Sequence, residues 1–153
     1  MKPKYLYHGS GKRLVGDKLI PKKANALGEN ENNSLKGIYA SSVKEQAISM
    51  ALHSCKGVGE GELGMHKING ELKIQDSIIY RGWPKQKYIY LYILPTENFH
   101  NKPIGSAQWV SFDPVKPERI EKLSVKDYIY LVRKANNKEK KEFFEKYNLN
   151  ENS

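Results

Sequence analysis

Few side chains in this sequence are suited to chemistry, and their spacing excludes most of it. The four histidines are His8, His53, His66 and His100. None pairs at the spacing a metal site needs, and no acidic cluster accompanies them, so no metal is expected. The single Cys55 excludes an intramolecular disulfide and a cysteine-cluster metal site. A Ser-His-Asp hydrolase would need a nucleophile elbow, which is missing. A Cys-His hydrolase would need a histidine that nothing places beside Cys55. Gly59-Glu60-Gly61-Glu62-Leu63-Gly64 spells a dinucleotide fingerprint, but it follows a helical stretch rather than a strand. Its two carboxylates would also repel a pyrophosphate, so it reads as a linker. His53 falls at a helix C-terminus, where a cation is favoured. His66 has no assignable role.

Three short segments remain: Tyr7-His8-Gly9-Ser10, Gly37-Ile38-Tyr39-Ala40-Ser41 and Gln108-Trp109-Val110-Ser111. The first two set His8 and Tyr39 at strand ends beside the small residues Gly9 and Ala40, and should face one cleft. Taken singly, His8 fits a turn histidine with its bonds satisfied, and Tyr39, one of 10 tyrosines, fits half-buried packing.

The elements that must position them follow from periodicity and punctuation. Tyr5-Leu6-Tyr7-His8 is a short β-type run stopped by Gly9-Ser10-Gly11. Lys18-Leu19-Ile20-Pro21 is a second extended piece, and the polar stretch 24–36 reads as a loop. Residues 37–41 form a strand. Ser42 with Glu45 spells a capping box for an amphipathic helix over 43–54, its apolar face Val43, Ala47, Met50 and Ala51. Asn69-Gly70 between 65–68 and 71–74 is the strongest short hairpin signal available. Tyr88–Leu94 is apolar or amphipathic on both faces and should be a central strand. Residues 108–112 and 119–123 give two more strands. Ser124 and Asp127 open a helix holding Tyr128, Leu131, Val132 and Ala135, and a last helix covers 137–147 before a frayed tail. Strands outnumber helices without regular alternation, which gives an α+β class.

The length of 153 residues suits one domain. Lys plus Arg is 26 against 17 for Asp plus Glu, a net charge of +9. That balance raises the odds of an anionic partner such as nucleic acid or nucleotide, but on composition alone a lysine-rich solvated surface is the preferred reading. No apolar run approaches the ~18 residues of a membrane span, and no hydrophobic signal core follows Met1-Lys2-Pro3-Lys4. A soluble, cytoplasmic protein without membrane contact is expected.

Together the three segments resemble the NAD-dependent ADP-ribosyltransferase superfamily, in its His–Tyr–Glu branch. Tyr7-His8-Gly9-Ser10 resembles the first motif, Gly37-Ile38-Tyr39-Ala40-Ser41 the second, and Gln108-Trp109-Val110-Ser111 with Pro114-Val115 the third. Tyr88–Leu94 with Pro95 and Phe99 is similar to rifamycin ADP-ribosyltransferases. The resemblance covers roughly residues 4–123. It implies a domain over 1–123 whose small mixed and antiparallel sheets form an NAD cleft, with 124–153 a helical extension packed on it.

The resemblance also implies roles. His8 would bond the adenine-side ribose, and the backbone around Gly9 and Ser10 would hold the nicotinamide carboxamide. Tyr39 would stack on the nicotinamide ring, with Ala40 beside it and Ser41 on the nicotinamide-side ribose. NAD would be the substrate, with no metal. The third motif departs from the family, which usually has Glu where Gln108 stands. Gln can bond a ribose hydroxyl but cannot act as a base or set a negative charge beside a developing cation. The loop that carries Asp in the rifamycin branch reads Phe99-His100-Asn101-Lys102-Pro103 here, leaving His100 as an unconventional base and Asn101 as an acceptor contact. Three expectations stand: mono-ADP-ribosyl transfer to an unidentified protein, nucleic-acid or small-molecule acceptor; transfer directed at a phosphate, as in RNA 2′-phosphotransferases; and a module that binds NAD or ADP-ribose without chemistry.

Overall fold

A computed structural model describes residues 2–23 and 36–150. The loop expected over 24–36 therefore lies, apart from Lys36, outside the described residues, as does the end of the tail. The class is α+β, with two sheets and short helices.

The larger sheet contains β1 (Leu6–Ser10), β2 (Lys22–Lys23), β3 (Lys36–Ser41), β6 (Tyr88–Leu94), β7 (Phe99–Asn101), β8 (Gln108–Ser111) and β9 (Arg119–Ser124). Its order is β7-β8-β3-β1-β6-β9, all antiparallel, with β2 also pairing β3. The smaller sheet has the order β10-β5-β4, from β4 (Gly61–Ile68), β5 (Glu71–Ile79) and β10 (Arg133–Lys134). Tyr88–Leu94 is an interior strand as expected, lying between β1 and β9. Its Ile89, Leu91 and Ile93 join Ala47, Ile48, Ala51 and Leu52 of helix α1 (Lys44–His53) in one core. Tyr92 and Leu94 join Leu6, Ile38, Ala40 and Phe99 in a second core on the opposite face.

The hairpin forms at Asn69-Gly70, both at positive φ (51° and 82°), as a turn of this twist requires. Its arms run further than expected. Gly61–Gly64, read as linker, pair with Ile79–Asp76, so four of the six residues of the fingerprint-like run are strand. Polar Gln75, Asp76 and Ser77 hid the matching arm. β1 likewise continues through Gly9 and Ser10, which pair with Leu91 and Tyr90.

Helix α1 begins without the expected capping box. Its N-cap is Val43, with no side-chain cap bond, and Met50 is 48% exposed instead of packed inward. The buried stripe is Ala47, Ile48, Ala51 and Leu52. The helix expected from Ser124 is broken into α2 (Val125–Tyr128), a 3-10 turn (Ile129–Leu131) and β10. Parallel pairing of Arg133 and Lys134 with Ile78 and Ile79 draws the chain out of the helix. This run is rich in β-branched and aromatic residues, so tertiary pairing outweighs a weak helical preference. Helix α3 (Asn137–Lys146) carries a capping box the sequence reading missed, Asn136 with Glu139. Its Phe143 stacks on Tyr80 at 3.9 Å between ring centroids. Arg133 bonds both Asp76 (2.8 Å) and Glu139 (2.7 Å), tying α3 to β5.

His53 is not the cation expected at a helix end. It is largely buried, its Nε2 lies 2.7 Å from Ser77 Oγ, and Ser77 Oγ also bonds Ser49 Oγ. Burial pushes its pKa down from 6.5 to about 4, so it is neutral at pH 7. The neutral form is the one the fold favours. The stability linked to His53 is therefore complete above pH 6.5 and lost as the pH falls from 6.5 towards 4. The loss should total roughly 3 kcal/mol, at 1.36 kcal/mol per unit. Urea unfolding across this window should show it. His53→Gln should flatten the slope, leaving the contribution of His8, whose shift has the same sign. An unchanged slope would rule His53 out as its source.

Candidate functional site

The site lies where the ladder beside β3 is interrupted. One edge of β3 is paired by β8 from Ile38 to Ser41. The other edge is shared by β1, which pairs at Ser41, and β2, which pairs at Lys36 and Gly37. Between these rungs His8 replaces a strand: its Nδ1 lies 2.7 Å from the backbone oxygen of Tyr39. A carbonyl only accepts, so Nδ1 carries the proton. Burial holds the His8 pKa below 6.5, partly opposed by this bond and reinforced by the charge of Lys22. His8 is thus neutral at pH 7, with Nε2 left as an acceptor. Its ring lies 5.9 Å from that of Tyr92.

Strand alternation alone would send His8 and Tyr39 to opposite faces, because Tyr7 is the residue paired with Ser41. Both nevertheless line one cleft, since β1 and β3 share a single rung and part beyond it. Gly9, Ala40, Ser41 and Gln108 line the same cleft, although about a hundred residues separate its ends in sequence. The cavity is small, about 30 Å³, room for a water or two. A larger ligand would occupy its open side or part its walls.

Each expected site residue has a definite setting. Ser41 is buried; its hydroxyl donates to Gln46 Oε1 (2.6 Å) and accepts from Val43 N–H (2.9 Å). Burial raises the pKa of the Tyr39 phenol above 10, so it stays protonated. Gln108 Nε2 donates to the Lys102 carbonyl at 2.9 Å. Gly9 faces helix α1 closely: a Cβ built there would collide with the Ala47 carbonyl oxygen. Ser10, His100 and Asn101 are not among the lining residues. Ser10 Oγ accepts from Lys12 N–H. His100 is exposed and stacks on Phe112 at 6.1 Å. Asn101 spends its amide inside the loop before β8, donating to Ser106 and Gln108 carbonyls and accepting from Gly105 N–H.

The sequence reading missed Tyr7, Gln46 and Met50, which also line the cleft. Gln46 was legible in principle. Moving the N-cap from Ser42 to Val43 makes Gln46, rather than Glu45, the third helical residue, turned back towards Ser41. None of the lining residues is a carboxylate. Among the described residues no group of His, Cys, Asp and Glu is placed to hold a metal, and no helix is long and apolar enough to cross a membrane. No protein-family model, curated protein or solved structure matches the chain significantly.

Proposed function

We propose that the chain is a mono-ADP-ribosyltransferase-like protein that takes NAD as substrate and passes ADP-ribose to an acceptor. The observation that supports this is the convergence of His8, Tyr39, Ser41 and Gln108 on one cleft from three distant segments. Neutral His8 offers Nε2 to a ribose hydroxyl, and Tyr39 offers an aromatic face to the cationic nicotinamide ring. The bond between nicotinamide and ribose breaks through an oxocarbenium-like state, which these contacts would hold in place. NAD is an intracellular metabolite, so the reading goes with a cytoplasmic protein.

A second reading, a module that binds NAD or ADP-ribose without chemistry, is favoured by the cleft's lack of a carboxylate. Incubation with NAD, following nicotinamide release with and without DNA, RNA and lysate, separates the two. Release supports the transferase; binding without release supports the module; neither binding nor release overturns both. Within either reading, Tyr39→Ala should weaken NAD binding about tenfold or more in calorimetric titration, while Tyr39→Phe keeps most of the affinity, because the ring carries the contact. Equal losses would exclude stacking.

A further inference from the structure

The outer part of the larger sheet carries tyrosines and cations on one face. On β6 and β9, Tyr90 pairs with Lys122 and Tyr88 with Ser124, so Tyr88, Tyr90 and Lys122 share that face. Tyr88 is 36% exposed, and two lysines sit over its ring: Lys122 Nζ at 4.0 Å from the centroid and Lys87 Nζ at 5.7 Å. The nearest carboxylate of β9, Glu121, leaves by the opposite face, where it meets Lys44 of α1 at 3.7 Å. Tyr90 beside Tyr88 is half-buried, and Tyr92, next along the same face, is fully buried in the second core. Its hydroxyl accepts from Leu14 N–H (2.6 Å) and donates to the Lys12 carbonyl (3.0 Å), pinning a loop that presents exposed Lys12 and Arg13 beside the row. None of Lys12, Arg13, Lys87 and Lys122 forms a salt bridge among the described residues.

We propose that this face is a binding track for single-stranded nucleic acid. Aromatic rings on a sheet surface take bases by stacking, and unpaired cations alongside take the phosphates. Side chains two residues apart on a strand stand roughly 7 Å apart, which matches successive nucleotides of an extended strand. The sheet register sets this face beside the strand that carries His8, with Ser10 opposite Tyr90. The inference stands without any transfer reaction. If the transfer reading above also holds, the bound strand is its acceptor.

The test is fluorescence anisotropy of the full chain, without NAD, against labelled oligo(dT), oligo(U) and a mixed-sequence duplex of about 20 nucleotides. Single strands of either sugar should bind at about 50 mM salt and weaken steeply by about 200 mM. Tyr88→Ala should weaken them roughly tenfold, Tyr88→Phe little, and Lys122→Gln should lower the salt slope by about one. Tyr88 and Lys122 are exposed enough for the variants to fold, and thermal unfolding checks that they do. No single-strand binding at low salt overturns the proposal. So does equal affinity for the duplex, or binding that neither Tyr88→Ala nor Lys122→Gln alters; the lysines would then be only the charges that keep an edge strand from pairing. Because the titration contains no NAD, its failure leaves the ADP-ribosyl reading untouched, and the reverse also holds.

Discussion

Gln108→Glu is expected to raise NAD cleavage by roughly 10²–10³, the usual worth of one preorganised group at a developing charge. The native amide donates to the Lys102 carbonyl at 2.9 Å. A carboxylate cannot donate, so it turns from that oxygen towards the cleft. Loss of the bond costs about 1 kcal/mol of stability, a small effect beside the rate change. Under the proposed transfer reading, the new charge in the cleft would act on the anomeric carbon of NAD as it becomes positive. Nicotinamide release measured for native, Gln108→Glu and Gln108→Ala protein checks this. If the natural acceptor is a phosphate, the carboxylate should repel it, so transfer falls while plain hydrolysis rises. If the protein only binds nucleotide, native protein releases no nicotinamide with any acceptor. If both variants match native in NAD affinity, hydrolysis and transfer, Gln108 lies outside the site.

Gly9→Ala should be among the most damaging single-methyl additions in the chain. The added carbon would collide with the Ala47 carbonyl oxygen and come within 2.7 Å of its carbonyl carbon and 3.0 Å of Ala51 Cβ. These are atoms of a helix backbone and of a fully buried alanine, neither of which can swing aside. Helix α1 must lift from β1, and overpacking of this kind costs about 3 kcal/mol or more. Gly64→Ala is the control, because the nearest atom to its Cβ would be Gln75 Oε1 at 3.9 Å. Urea unfolding should separate the two clearly. Equal midpoints would mean that α1 does not rest on Gly9. The result also bears on the site: the missing Cβ at Gly9 makes room for α1, and only its backbone remains to meet a ligand in the cleft.

What the sequence disclosed follows from how local each signal is. Asn69-Gly70 announces its own turn, and Tyr88–Leu94 announces an interior strand because both faces are apolar. The pairing that gathers His8, Tyr39 and Gln108 was legible only through the motif order, since no local pattern reports that β1 and β3 touch at one rung. The ends of elements were poorly legible where pairing sets them. Gly61–Gly64 becomes strand because Asp76–Ile79 lies beside it, and Arg133-Lys134 leaves a helix-like run for β5. Gln46 escaped notice because a one-residue change of N-cap decides which side chain turns back to Ser41.

The place of β1 in the larger sheet has a consequence for how the protein is made. This strand, the first of the chain, has Leu6 opposite Leu94 and Ser10 opposite Tyr90. A ribosome extending the chain by ~5–20 residues per second leaves it without that partner for roughly 4–16 s. Through that interval Leu6, which ends fully buried, stays wet, and the strand's backbone is open to pairing with other chains. Closing so long a loop also costs entropy before its contacts form, so this pairing slows folding relative to a chain built from local contacts.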